Sequence, residues 1–205
     1  MTEQEVDDIV ERAVSKKRTV KDVLIEMRDT SELMVDLAYS ALLTNSREIA
    51  EEVQTLERRM DDLQYEIEGL LLLSARTIED AANLAGISHV ALSAENIANS
   101  ADDIVDVVLR GIGDHPIYKS FLGESKERVI RTQLKADSAL ISKTLGELNI
   151  STETGAYIRA IRRGPSWIYS PEKGTRILEG DILIAKGSEL AVENLRKLCG
   201  SEDEG

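Results

Sequence analysis

The segment GAYIRAIRRGPSWIYSPEKGTRILEGDILIAKG, residues 155–187, contains three short runs rich in β-formers, AYIRAIRR, SWIYS and DILIAKG. Glycine and proline separate these runs, which is typical of short strands joined by turns. Gly155 and Gly164 flank the first run, where the backbone must turn or accept a positive φ. Gly180 and Asp181 offer a tight turn into the last run. This part of the chain is therefore predicted to form a sheet.

Further short elements flank the segment. A fourth strand, RVIRTQL, begins at Arg128, and a short helix is expected over residues 142–148, where a serine can cap its first turn. After the last strand, residues 189–198 form an amphipathic pattern, with one apolar face made of Leu190, Ala191, Leu195 and Leu198. The order of strand, helix, strands and helix predicts a compact α+β unit.

The first 110 residues follow the three- and four-residue spacing of amphipathic helices. One apolar stripe ends at a polar break, residues 16–19, and a second runs to about Leu43. A heptad pattern follows at Ile49, Val53, Leu56, Met60, Leu63, Ile67, Leu70 and Ser74. An alanine-rich stripe from Ile87 to Val108 favours close helix packing. Four helices are expected, three of them long, with breaks at residues 44–46 and 86–88.

Helical periodicity ends at GIGDHP, residues 111–116, where two glycines and a proline interrupt the chain. We therefore predict an α+β protein made of an antiparallel helical bundle followed by a small α+β domain. The expected boundaries are 1–113 for the bundle, 114–126 for a linker with little regular patterning, 127–200 for the α+β domain and 201–205 for an acidic tail.

The composition is that of an ordered, acidic protein. A net charge of −13 argues against nucleic acid and anionic membranes as partners, because Lys and Arg supply most of the affinity for polyanions. The longest apolar run, residues 70–73, is far below the ~18 residues that span a bilayer, and the N-terminus MTEQEVDD is not a secretory signal. A single cysteine, Cys199, suits a reducing compartment. A cytoplasmic protein is expected.

The sequence contains no recognisable catalytic constellation. His89 and His115 are the only histidines, and neither has a nearby motif for nucleophilic or zinc-dependent chemistry. We therefore expect no enzymatic activity.

Residues 126–199 resemble the TrkA C-terminal domain, also called the RCK C-terminal domain, of proteins that regulate potassium conductance. The matching features occur in the family's order: a strand, KTLGELNI, GAYIRAIRRG, Pro171, ILEGDILIAKG and a final helix. The resemblance implies an intimate homodimer that binds small ligands at its interface, with cyclic dinucleotides and ions among them. In the full regulatory unit this lobe follows a Rossmann-type domain, but GxGxxG is absent here, so no NAD site is expected.

Arg159, Arg162 and Arg163 are the candidate ligand-binding residues of this domain. The planar fork of arginine pairs bidentately with phosphate or carboxylate, which favours a small anionic ligand. On a regular strand Arg159 and Arg163 share one face and Arg162 points to the other. The alternative for any one of them is a charged edge that keeps the sheet soluble.

Residues 20–109 resemble one half of PhoU, the helical regulator of phosphate transport. The family's ExxxD motif is present as Glu57 and Asp61, whereas a second copy is present only as Glu95 and Asn99. Residues four apart share a helical face, so Glu57, Asp61 and Glu95 are candidate ligands for a divalent metal. Asn99 replaces a carboxylate and weakens any multinuclear site, and the alternative is a solvated acidic face. Apart from this possible divalent metal, the sequence does not identify a cofactor.

Three functions from different classes remain open. The first is a cytosolic, dimeric regulator of a membrane potassium (cation) transporter or channel that senses a ligand through its C-terminal domain. The second is a PhoU-type regulator of phosphate transport that acts through the helical bundle. The third, a metal-dependent enzyme, lacks support beyond paired carboxylates.

Overall fold

The computed structural model describes residues 3–122, 127–136 and 138–200. The helical part consists of α1 (Glu3–Ser15), α2 (Val20–Thr44), α3 (Arg47–Ser74), α4 (Ile78–Leu109) and α5 (Pro116–Leu122). The second part consists of β1 (Arg128–Gln133), α6 (Leu145–Leu148), α7 (Ile150–Thr154), β2 (Tyr157–Arg163), β3 (Ser166–Tyr169), β4 (Ile182–Gly187) and α8 (Glu189–Cys199). The predicted acidic tail, 201–205, lies outside the described residues.

Each of the helices α2, α3 and α4 is preceded by a side chain that accepts a hydrogen bond from a backbone N–H group of its first turn. Thr19 and Thr77 each form a reciprocal capping box with the aspartate three residues later, and the Ser46 side chain accepts from the backbone of Ile49. Asn45 ends α2 in the left-handed conformation, with φ of 50°. These caps explain why the first break falls at residues 44–46, as predicted.

Two local predictions about the helical part are wrong. There is no break at residues 86–88, because the capping box at Thr77 starts α4 more than two turns earlier and Gly86 in a helix costs only about 1 kcal/mol. The expected linker, 114–126, is not irregular throughout, since α5 occupies part of it.

Helices α2, α3 and α4 pack together as a bundle, and α1 packs on α3. Every heptad position of α3 from Ile49 to Leu70 is buried. The N-terminal half of α4 carries exposed apolar side chains instead, among them Ile78 and Val90. Among the described helices, none is long and apolar enough to cross a membrane.

The sheet has the order β1-β4-β2-β3, and all its neighbours are antiparallel. Gly155, Gly164 and Gly180 adopt positive φ, as predicted for its turns. The predicted helix over 142–148 starts later, at Leu145, because Thr144 and Glu147 form the capping box, while Ser142 has a φ of 67°. The predicted fold class is confirmed: a helical bundle is followed by an α+β domain.

Both faces of the sheet are covered. On β4, Leu183 and Ala185 belong to a core formed with α8, whereas Ile182 and Ile184 belong to the same hydrophobic core as the helical bundle. The bundle and the sheet are thus in direct contact through α2, which lies against β1 and β3. The domain boundaries, 1–113, 114–126, 127–200 and 201–205, stay a prediction.

Candidate ligand groove and interdomain contact

A β-bulge in β2 determines where the three candidate arginines lie. The pairing of β2 with β4 shifts register between Ile158 and Ala160, so Arg159 is the extra residue. A bulge breaks the alternation of side chains between the two faces. As a result Arg159 and Arg162 both reach carboxylates of the helical bundle, and the predicted pairing of Arg159 with Arg163 on one face is wrong.

Arg162 holds a buried carboxylate of α3. Its guanidinium lies 3.0 Å from Oε1 of Glu52, and Nε of Arg131 lies 2.9 Å from the same oxygen. Arg131 also reaches Glu48, at 3.0 Å. Because Glu52 is only 3% exposed, its charge requires cationic partners. Arg162 therefore contributes to holding the sheet against the bundle.

Two hydroxyl contacts join the same surfaces. The Ser40 hydroxyl donates to the Val129 carbonyl at 2.6 Å, and the Thr30 hydroxyl donates to the Tyr169 hydroxyl at 3.0 Å. Burial raises the pKa of Tyr169 to about 12, which keeps this phenol neutral. The interdomain contact, meaning the buried surface between α2, α3 and the sheet, is therefore both apolar and hydrogen-bonded.

Arg163 stays within the α+β domain. Its guanidinium makes a bidentate pair with Asp181, with both N–O distances 2.8 Å, and donates to the Arg176 carbonyl. The hydrogen bond to Asp181 raises the pKa of Arg163. Asp181 is fully buried and also accepts from the backbone of Leu178, so this pair fixes the turn that leads into β4.

Arg159 lines a groove on the α+β domain. One part of the groove, about 530 Å³, is lined by Glu127, Tyr157, Ile158, Arg159, Ser170, Pro171 and Lys186. A smaller part, about 180 Å³, shares Tyr157, Ile158 and Pro171 with it and extends to Asn149 and Lys173. Tyr157, which is 65% exposed, lies in a groove that also contains the cations of Arg159, Lys173 and Lys186.

Sequence reasoning therefore finds Arg159 but misses Tyr157, Ile158 and Lys186 as groove residues. Within a β-rich run, tyrosine and isoleucine are ordinary strand formers, so no local signal marks Tyr157 and Ile158 as groove residues. Lys186 lies on β4, which is distant in sequence but adjacent to β2 in the sheet, and it reaches the groove only through the pairing of these two strands.

The candidate metal ligands Glu57 and Asp61 lie on α3, and Glu95 lies on α4. Asp61 is exposed, and the Glu95 carboxylate accepts from the Asn99 amide at 2.7 Å. In the described ranges, no group of three or more His, Cys, Asp or Glu side chains is placed to hold a metal ion. Weak binding of a divalent metal through Glu57, Asp61 and Glu95 stays a prediction.

Glu57 is nonetheless electrostatically unusual. Burial, followed by the charges of Asp61, Asp102 and other nearby carboxylates, raises its pKa from 4.5 to about 7. Its Oε2 atom is buried and has no hydrogen-bond partner among the described residues. Because this pKa is higher in the folded protein than in the unfolded chain, the stability that Glu57 contributes is lost as the pH rises from about 4.5 to about 7.

We expect Glu57→Gln to stabilise the protein at pH 8 by about 1–2 kcal/mol, a value reduced for partial solvent screening. Urea unfolding at pH 8 and pH 4.5 should show this gain at pH 8 and almost none at pH 4.5. Glu68→Gln, at an exposed position on α3, is the control and should change little at either pH. An equal gain for Glu57→Gln at both pH values would contradict the raised pKa.

Two family models match the chain. The model described as the TrkA-C domain matches residues 129–200, and that of the PhoU domain matches residues 24–110. The chain thus contains a PhoU domain, which is the helical bundle, and a TrkA-C domain, which is the α+β part carrying the groove. Among curated proteins, no significant match is found.

Several solved structures are similar to the chain. The RCK_C domain dimer of S. agalactiae BusR in complex with c-di-AMP is 29% identical, with a TM-score of 0.34, over 35% of this chain and 95% of that one. The RCK C domain of the potassium transport protein KtrA in complex with c-di-AMP is 24% identical, with a TM-score of 0.33, over 40% and 92%. S. agalactiae BusR with its busA-promotor DNA is 17% identical, with a TM-score of 0.35, over 80% and 98%.

Proposed function

We propose that this protein is a regulatory subunit of a potassium or other cation transport system, and that its TrkA-C domain senses a small anionic ligand in the groove. The observation that carries the proposal is the groove itself. It brings the cations of Arg159, Lys173 and Lys186 around the exposed ring of Tyr157, in a protein whose net charge is −13. These three cations outnumber Glu127, the carboxylate in the groove lining, so the groove favours an anion over a cation.

The side chains of the groove suit a phosphate-bearing nucleotide. An aromatic ring beside Ile158 and Pro171 offers a surface on which a base stacks. Arginine and lysine supply charge-assisted hydrogen bonds to phosphate oxygens. The TrkA-C resemblance favours a cyclic dinucleotide bound at the interface of a homodimer, so that each protomer supplies one groove.

A second candidate function is regulation of phosphate transport through the PhoU domain. It is favoured by the match of that family model to residues 24–110. The two functions differ in the domain that carries the signal. The cation-transport regulator binds its ligand on the TrkA-C domain, whereas the phosphate-transport regulator acts through the PhoU domain.

A ligand screen tests the proposed function. We expect c-di-AMP at a hundred times its dissociation constant to stabilise the full chain by about 2.7 kcal/mol, which thermal melting resolves. ATP, AMP, KCl, inorganic phosphate and a DNA duplex are the comparison probes, and light scattering of the same samples should show twice the 22.6 kDa mass of one chain. A melting temperature that no compound raises would exclude the sensor.

Single alanine variants locate the site. Calorimetry should show that Arg159→Ala weakens ligand binding by about 10- to 100-fold, since one charge-assisted contact to a phosphate is lost. Arg47→Ala is the matched control, because Arg47 is an exposed arginine that pairs with Glu51 outside the groove. Arg162→Ala and Arg163→Ala complete the series. The series also tests the sequence prediction that Arg162 and Arg163 bind the ligand. Affinity unchanged in Arg159→Ala would place the ligand elsewhere.

A further inference from the structure

Two cations of the groove also contact the PhoU domain. Arg159 lies 3.5 Å from Glu32 and 3.9 Å from Asp36, both on α2. Lys186 lies 3.4 Å from the same Asp36 and 3.3 Å from Glu127. The charges that a ligand phosphate would use are therefore already shared with carboxylates of the helical bundle.

These pairs differ from the rest of the interdomain contact. The Arg131 and Arg162 pairs with Glu52 are short and buried, whereas the Arg159 pairs are long and Glu32 is 57% exposed. Long, solvated ion pairs contribute little free energy, so they can be exchanged at low cost. Glu32 and Asp36 are accessible to water, so both stay solvated when Arg159 and Lys186 leave them. Glu52 is buried and would not be solvated in the same way.

We propose that an anionic ligand in the groove competes with Glu32 and Asp36 for Arg159 and Lys186, so that ligand binding loosens the contact of α2 with this edge of the sheet. The inference rests on the proposed function and adds its regulation: α2 is the element of the PhoU domain that receives the signal. Coupling of this kind is reciprocal, so the α2 carboxylates weaken ligand binding by the same factor by which the ligand weakens their contact.

The test is the affinity of the Glu32→Gln/Asp36→Asn double variant for c-di-AMP, measured by calorimetry on the full chain. We expect binding about threefold to tenfold tighter than in the wild type, because the ligand no longer displaces two carboxylates from its cations. Glu48→Gln is the matched control. Glu48 is an exposed carboxylate in an ion pair with Arg131, outside the groove, and its removal should leave the affinity unchanged.

Hydrogen exchange provides a second readout. In the wild type, c-di-AMP should accelerate exchange in the part of α2 around Glu32 and Asp36, and in the double variant it should not. Binding with unchanged or weaker affinity in the double variant would overturn the inference and leave the proposed function intact. Absence of c-di-AMP binding by wild type and variant alike would overturn both.

Discussion

Replacing Arg131 and Arg162 together with methionine is expected to lower the free energy of unfolding by about 3–5 kcal/mol. The double variant removes the two cations that contact Glu52 in the described part of the chain and leaves its buried carboxylate without a charged partner there. For a chain of 205 residues this corresponds to a fall in melting temperature of roughly 6–20 °C. Urea unfolding at constant pH and salt measures the free energy directly.

Two further variants separate the buried charge from other causes. Arg47→Met breaks an exposed ion pair with Glu51 and should cost less than about 0.5 kcal/mol. Adding Glu52→Met to the double variant removes the unpaired charge and should restore most of the lost stability. A double variant as stable as the wild type would show that Glu52 does not depend on these arginines.

The parts of the fold that the sequence predicts are those encoded by local periodicity. The heptad spacing from Ile49 to Leu70 matches the buried face of α3, and the runs of β-formers within residues 157–163 and 182–187 match β2 and β4. Burial of one helix face demands a spacing of about 3.6, and short runs of β-formers between turn residues are typical of strands, so each pattern reports its element directly.

Some signals of tertiary packing are also present in the sequence. The run ILIA, residues 182–185, is apolar at both odd and even positions, which is the pattern of a strand covered on both faces. The structure covers one face with α8 and the other with the bundle. Likewise Thr144 and Glu147 form the S/T-x-x-E signature that places the start of α6 better than Ser142 does.

The orientation of the arginines could not be predicted from the sequence. The run YIRAIRR contains no glycine or proline to indicate a bulge, and the bulge is defined only by the pairing of β2 with β4. The carboxylates that contact Arg159 and Arg162 are more than 100 residues earlier in the chain, on α2 and α3. Ion pairs of this kind depend on how the domains pack, for which a single sequence has no local pattern.

The packing of the sheet on the bundle leads to the second large effect. Ile184 is fully buried in the core shared with the helices, so Ile184→Ala should lower the free energy of unfolding by about 2–5 kcal/mol. Leu183, its neighbour on β4, is equally buried but faces α8, and Leu183→Ala should cost a similar amount. The two variants thus remove comparable side chains from opposite faces of one strand.

Hydrogen exchange distinguishes the two variants, because only Ile184 belongs to the core that also contains α2 residues such as Leu37 and Ala41. We expect Ile184→Ala to reduce the protection of α2 amides more than Leu183→Ala does, at matched total destabilisation. Such a difference would mean that the TrkA-C domain stabilises the PhoU domain through this face, as a sensor that signals through α2 requires. Equal protection of α2 in the two variants would instead favour two domains that unfold independently, as the predicted boundary at residues 114–126 implies.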